Sequence, residues 1–241
     1  MKRLAYLLGI LALAIIAYCF SPRIRAAVST VMQPLRVPKT VAQRLEQYGE
    51  RTRHRWAGYF EKAGVPYPPA QVVLAGFKEE RRLEVYAGAP DRPLRFVRAC
   101  PILAASGEAG PKLREGDGQV PEGIYAIESL NPNSRFHLSL RINYPNTFDR
   151  EQALKDGRTR LGGDIMIHGS SVSVGCLAMG DEVAEDLFVL AADTGLTNLS
   201  VILSPVDFRN RKPPSASTNQ PGWIPSLYEQ IRTRLTALPR P

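Results

Sequence analysis

An unbroken apolar run extends from Leu4 to Phe20, preceded by Lys2 and Arg3 and followed by Ser21, Pro22, Arg23 and Arg25. As a helix it reaches roughly 25 Å, enough to enter a bilayer with snorkelling flanks. Small residues of the kind a signal peptidase needs come only near Ala27 and Ser29, and the run ends in the bulky Tyr18, Cys19 and Phe20. The pattern therefore predicts an uncleaved anchor over residues 1–21, with an exported signal segment as the alternative. Tyr18 before Cys19 argues against lipid attachment there.

A Pro-punctuated basic spacer, with Pro22, Pro34 and Pro38, leads to a helix predicted from a Thr40 cap to about Ala63. Val41, Leu45, Tyr48, Trp56, Tyr59 and Phe60 make its apolar stripe, and Arg44, Arg51, Arg53 and Arg55 its basic face. Such a face suits lipid or an acidic polymer; packing of the aromatic stripe on the domain is the favoured reading. Beyond Pro66 the pattern changes to short β-like runs: Gln71–Phe77, Arg82–Tyr86, Leu94–Cys100, Gly123–Glu128, Phe136–Leu140, Asp164–His168 and Leu199–Leu203. A helix is predicted from about Asp181, as cap, to Asp193, and a second amphipathic one over Pro225–Leu238. The expected fold is mainly β (α+β) with a few helices. Its parts are a membrane segment (1–21), a linker and basic helix (22–70), a catalytic domain (71–205) and a Pro-rich basic tail with a short helix (206–241).

With 44% hydrophobic and 22% charged residues, the chain is neither disordered nor polytopic. A net charge of +8 favours an anionic neighbour, but no zinc-finger or aromatic-basic motif accompanies it, so nucleic acid is not an expected partner. Cys100 and Cys176 follow the export segment. Across the inner membrane such a pair tends to oxidise, which leaves a structural disulfide open. Pro101 after Cys100 instead favours a small buried residue at position 100.

The densest chemistry lies in Ile165-Met166-Ile167-His168-Gly169-Ser170-Ser171-Val172-Ser173-Val174-Gly175-Cys176-Leu177. It reads as a strand ending in His168, a glycine loop, and Cys176 shortly before a helix. A thiol near an imidazole and a helix N-terminus is expected to have a lowered pKa and act as a nucleophile, with His168 as base. The amides of Gly175 and Cys176, with Ser173 nearby, are expected to face an oxyanion. A zinc site from His168, Cys176 and Asp164 lacks the spacing of further ligands, so no metal or cofactor is expected. His54 and His137 have no partner in sequence.

His168-Gly169, followed by Ser173-Val174-Gly175-Cys176-Leu177, resembles the signature of the L,D-transpeptidase (YkuD domain) family. Pro101 to Gly107, Gly110-Pro111-Lys112 and Pro121-Glu122-Gly123-Ile124-Tyr125 extend the resemblance upstream. Leu113 to Asp117 and Asn143-Tyr144-Pro145-Asn146 make the chain most similar to the YafK-like branch. Two features depart from the family pattern. The His168 to Cys176 spacing is shorter than usual, with Val174 in the second His position, and Ala178 replaces a common basic or amide residue.

The resemblance implies a YkuD-like β-sandwich or barrel and a Cys176 acyl-enzyme formed on peptidoglycan stem peptides. Gly169, Ser173 and Gly175 would shape the active-site loop, and Lys112, Arg114, Arg141 and Tyr144 are candidates to grip substrate. The acceptor separates a transpeptidase from a hydrolase that cleaves a lipoprotein from peptidoglycan, and a non-catalytic wall-binding module is the third reading. Each places the protein in the periplasm, anchored or exported.

Overall fold

The computed structural model describes residues 37–214 and 220–241. The membrane segment and most of the spacer lie outside them. Among the described residues no helix is long and apolar enough to cross a membrane. Residues Lys39–Pro241 form one compact unit.

Helix α1 (Val41–Ala63) starts in a capping box, in which Thr40 and Gln43 satisfy each other's backbone amides, and stops at Gly64, whose φ of 65° ends the helix in the left-handed region. Its stripe buries Tyr48, Trp56 and Phe60. The basic face is docked too. Arg51 pairs with Glu185, Arg53 with Asp193 and Arg55 with Asp186, all on helix α3 (Asp181–Thr194). The indole N–H of Trp56 donates to the Asp186 carbonyl at 2.9 Å. Packing on the domain, rather than lipid, therefore accounts for both faces.

The strands are β1 (Gln71–Phe77), β2 (Arg82–Gly88), β3 (Arg95–Pro101), β4 (Ala104–Ala105), β5 (Gly123–Asn131), β6 (Ser139–Ile142), β7 (Met166–His168), β8 (Leu177–Ala178) and β9 (Leu199–Ser204). They form one mixed sheet in the order β3-β2-β1-β9-β5-β6-β7-β8-β4. The β1–β9 and β7–β8 pairs are parallel. Central strands read as continuous apolar runs because both faces are covered. On β1, Val72 and Leu74 face the main core, which also holds Trp56, Phe60 and Phe188. Val73, Ala75 and Phe77 face a second core closed by helix α4 (Ile224–Thr236) through Leu227, Tyr228, Ile231 and Leu235.

Two local expectations are corrected. The run Phe136–Leu140 is not a strand from its start: His137 has φ of 72°, and β6 runs from Ser139 to Ile142. Helix α2 (Thr147–Lys155) was not expected, because it buries only Gln152 and Ala153 and has no apolar stripe. Its signal is local: Asn146 and Asp149 form a capping box.

Candidate active site

Strand β7 lies between β6 and β8. Across β6, Arg141 is opposite Met166 and Ser139 opposite His168; across β8, Ile167 is beside Leu177 and His168 beside Ala178. Ile167 and Leu177 belong to the core. Side chains alternate along a strand, so Arg141, Met166, His168 and Cys176 share the other face. From the strand spacing and rise, the Cα atoms of His168 and Cys176 are about 8 Å apart, one strand over and two residues along.

His168 is buried, with Phe136 stacked on its ring at 4.7 Å between centroids. Its Nδ1 lies 2.6 Å from the carbonyl oxygen of Gly169. A carbonyl only accepts, so Nδ1 carries the proton and Nε2 keeps the free lone pair. Burial lowers the pKa of the imidazole, and the bond to Gly169 opposes that shift.

The Cys176 Sγ accepts the amide N–H of Met166 at 3.4 Å, and its S–H is directed at the Asp164 carbonyl at 3.7 Å. The expected lowered thiol pKa is corrected: burial pushes it up, the Asp164 charge adds to the rise, and the Met166 amide and the Lys112 cation oppose it. The helix-dipole argument also fails, because Cys176 leads into β8 and α3 starts only at Asp181. Thiol and imidazole are thus a neutral pair near pH 7. Both Cys176 and the buried Cys100 are free thiols.

The loop between them is held at both ends. Gly169 admits no side chain: a Cβ would sit 2.5 Å from Asp181 Oδ1 and 2.8 Å from the Phe136 carbonyl. Asp181 does not cap α3 with its side chain, since the N-cap is Gly180 and makes no such bond. Its Oδ1 instead accepts the Ser170 amide at 2.7 Å. At the other end Gly175 turns with φ of 84°.

The two amides expected to face an oxyanion already have partners. Gly175 N–H donates to Ser106 Oγ at 2.6 Å and Cys176 N–H to Ser173 Oγ at 3.0 Å. The two hydroxyls donate onward to the carbonyls of Gly118 and Cys176, each at 2.6 Å. Ser106 was not singled out in the sequence, although it lies in the segment that carries the upstream resemblance.

The four substrate-binding candidates separate. Lys112 is buried and committed, its Nζ donating to Asp117 at 2.6 Å and to the Arg114 carbonyl at 2.9 Å. Tyr144 is buried, its hydroxyl within 3.3 Å of the Lys112 and Leu161 carbonyls. Arg114 is exposed, with its backbone amide held by Asp117. Arg141 pairs with Glu128 at 2.9 Å and with Asp164 at 2.8 Å, and Asp164 also offers its carbonyl to Sγ. The described residues include no group of three or more His, Cys, Asp or Glu placed to hold a metal ion.

Residues 73–203, more than half of the 241-residue chain, match the family model of the YkuD L,D-transpeptidase catalytic domain, and the matched span holds both His168 and Cys176. The L,D-transpeptidase-type protein YafK of Escherichia coli strain K12 is 36% identical over 119 residues, which cover 48% of this chain and 46% of YafK. The chain thus matches about half the length of that relative. Among solved structures, the helical cell shape determining protein Pgp2 of Campylobacter jejuni is 22% identical with a TM-score of 0.47, over 61% of this chain and 50% of that one. L,D-transpeptidase 1 of Mycobacterium tuberculosis is 14% identical with a TM-score of 0.33, over 56% and 62%. The chain belongs to the YkuD family of L,D-transpeptidase catalytic domains.

Proposed function

We propose that the protein is a cysteine acyltransferase that acts on peptidoglycan stem peptides in the periplasm, held at the inner membrane by residues 4–20. The observation that carries this reading is the hydrogen bond from His168 Nδ1 to the Gly169 carbonyl, which leaves Nε2 unprotonated on the face that also bears Cys176. A neutral thiol needs such a base.

In the first step Sγ attacks the carbonyl carbon of the diamino acid, in its amide bond to the terminal D-alanine of a stem tetrapeptide, while its proton passes to Nε2 of His168. The resulting imidazolium returns that proton to the departing nitrogen, the C–N bond breaks and D-alanine leaves. A thioester remains on Cys176. An acceptor amine, deprotonated by Nε2, then attacks the thioester and regenerates the thiol. The product is a cross-link or an attached lipoprotein. Water in place of the amine gives hydrolysis by the same residues; where the diamino acid carries a lipoprotein instead of D-alanine, the lipoprotein amine is the group that leaves in the first step.

The test is incubation of the purified chain with disaccharide tetrapeptides under reducing conditions. Mass spectrometry is expected to find a peptidyl adduct on Cys176 and released D-alanine, both absent from Cys176→Ala and His168→Ala. No adduct and no released D-alanine from the wild-type chain would leave only the wall-binding reading. Cross-linked dimers identify transfer and liberated tripeptide identifies hydrolysis; a parallel incubation with lipoprotein-linked peptidoglycan reads release of the lipoprotein.

A further inference from the structure

Most basic side chains near a cavity are already committed. In the 250 Å³ cavity beside Ser106, Lys78 donates to three carbonyls and to Glu122. In the 340 Å³ cavity near the C-terminus, Arg209 is locked to Glu84 and Asp207. A third cavity, of about 410 Å³, differs. Arg141, Tyr144, Arg150 and the side-chain-free Gly162-Gly163 are part of its wall, and the chain runs from that wall directly into Asp164.

Three observations connect this cavity to the thiol. Arg141 is the register partner of Met166, whose amide donates to Sγ. With two strand spacings between them, the Cα atoms of Arg141 and Cys176 are about 10 Å apart, and their side chains share a face. The guanidinium also holds Asp164, whose own carbonyl faces Sγ.

The partners that Arg141 now has are easily exchanged. The side chains of Glu128 and Asp164 are 53% and 78% exposed. Ion pairs this wet contribute about 0–1 kcal/mol. An incoming carboxylate can replace either one on the planar fork of the arginine, with little lost. Arg150, exposed on α2, forms no ion pair among the described residues and supplies a second cation to the same wall.

We infer that this cavity is a carboxylate-binding subsite for the donor peptide, with Arg141 and Arg150 as the receiving cations. The inference rests on the stem-peptide reading above, and it names the group by which the substrate is gripped. Two carboxylates lie near the attacked carbonyl: that of the terminal D-alanine, one residue or about 4 Å along the chain, and that on the side chain of the diamino acid. The chemistry of recognition is the same for both.

Binding separates this subsite from the catalytic reading. The full chain carrying Cys176→Ala, in mild detergent, is titrated with disaccharide tetrapeptide by calorimetry. Parallel titrations use the ligand amidated at the terminal D-alanine and the ligand amidated at the diamino acid. Arg141→Gln and Arg150→Gln are each expected to weaken binding of the unmodified ligand about tenfold, as for loss of a charge-assisted pair. Arg141→Lys is expected to recover part of the loss. The amidation that produces the same loss, and abolishes the further effect of Arg141→Gln, identifies the carboxylate held.

Unchanged affinity in both glutamine variants overturns the inference, as do equal affinities for all three ligands or no binding at millimolar concentration. Arg150→Gln breaks no ion pair among the described residues, and an unchanged thermal midpoint in that variant separates a loss of binding from unfolding. Failure of the wild-type chain to form a Cys176 adduct, with binding intact, would remove the acyl-enzyme and leave the subsite.

Discussion

The hydroxyl of Ser106 accepts the amide N–H of Gly175 at 2.6 Å, joining two residues 69 positions apart. Gly175 is the turn on which Cys176 is presented, so a side chain on the loop after β4 sets the position of the thiol. The same hydroxyl donates to Gly118, which makes Ser106 the link between two loops.

Removing that link leaves a partly buried N–H and a carbonyl without partners. Ser106→Ala is expected to reduce kcat for tetrapeptide turnover about tenfold with little change in KM, because the thiol loses its position and the binding surface does not. The thermal midpoint should fall by no more than corresponds to about 1–2 kcal/mol. A change confined to KM, or a collapse of the fold, would contradict this role for Ser106.

The neutral thiol–imidazole pair predicts the shape of the pH profile. Burial lowers the pKa of His168 and raises that of Cys176. Activity needs Nε2 unprotonated, so the acid limb is expected below the ordinary histidine value of ~6.5, and activity stays level through neutral pH. Alkylation of Cys176 by iodoacetamide should be slow at pH 7 and accelerate only above the ordinary thiol value of ~8.5. Fast alkylation at pH 7 that His168→Ala abolishes would instead reveal a preformed thiolate–imidazolium pair.

Asp149 predicts a separate dependence of stability on pH. Burial raises its carboxyl to about 6, against hydrogen bonds from the Asn146 amide and the Tyr125 hydroxyl that favour the charged form. A folded pKa above the unfolded one, ~3.9, means that its contribution is full below pH 4 and is lost as pH rises through about 6. Asp149→Asn removes this titration. The thermal midpoint of the variant relative to wild type should therefore rise between pH 4 and pH 7, by an amount on the order of 3 kcal/mol. A constant difference across that range would show that Asp149 titrates normally.

The parts of the fold legible in the sequence are those specified by neighbours along the chain. Alternating and continuous apolar runs located β1, β2, β3, β5 and β9 closely, and the three- and four-residue steps among Val41, Leu45, Tyr48, Trp56, Tyr59 and Phe60 located α1. His168, Gly169, Gly175 and Cys176 stand in one stretch of nine residues, which is why the candidate pair was readable. Helix α2 and the two-residue strands β4 and β8 were not, since each is too short or too polar for periodicity to register.

Tertiary structure alone decided the rest. Burial set the direction of both pKa shifts, against the expectation for the thiol, because desolvation depends on what packs around a group and not on its sequence neighbours. Strand register placed Arg141 opposite Met166, on the face that bears the thiol, and folding brought Ser106 to Gly175 and the acidic residues of α3 to the arginines of α1. Sequence determined which chemical groups the chain carries and the local elements that display them. Which groups meet was decided by pairing between distant segments, where the partners of a charge or an amide depend on the whole sheet.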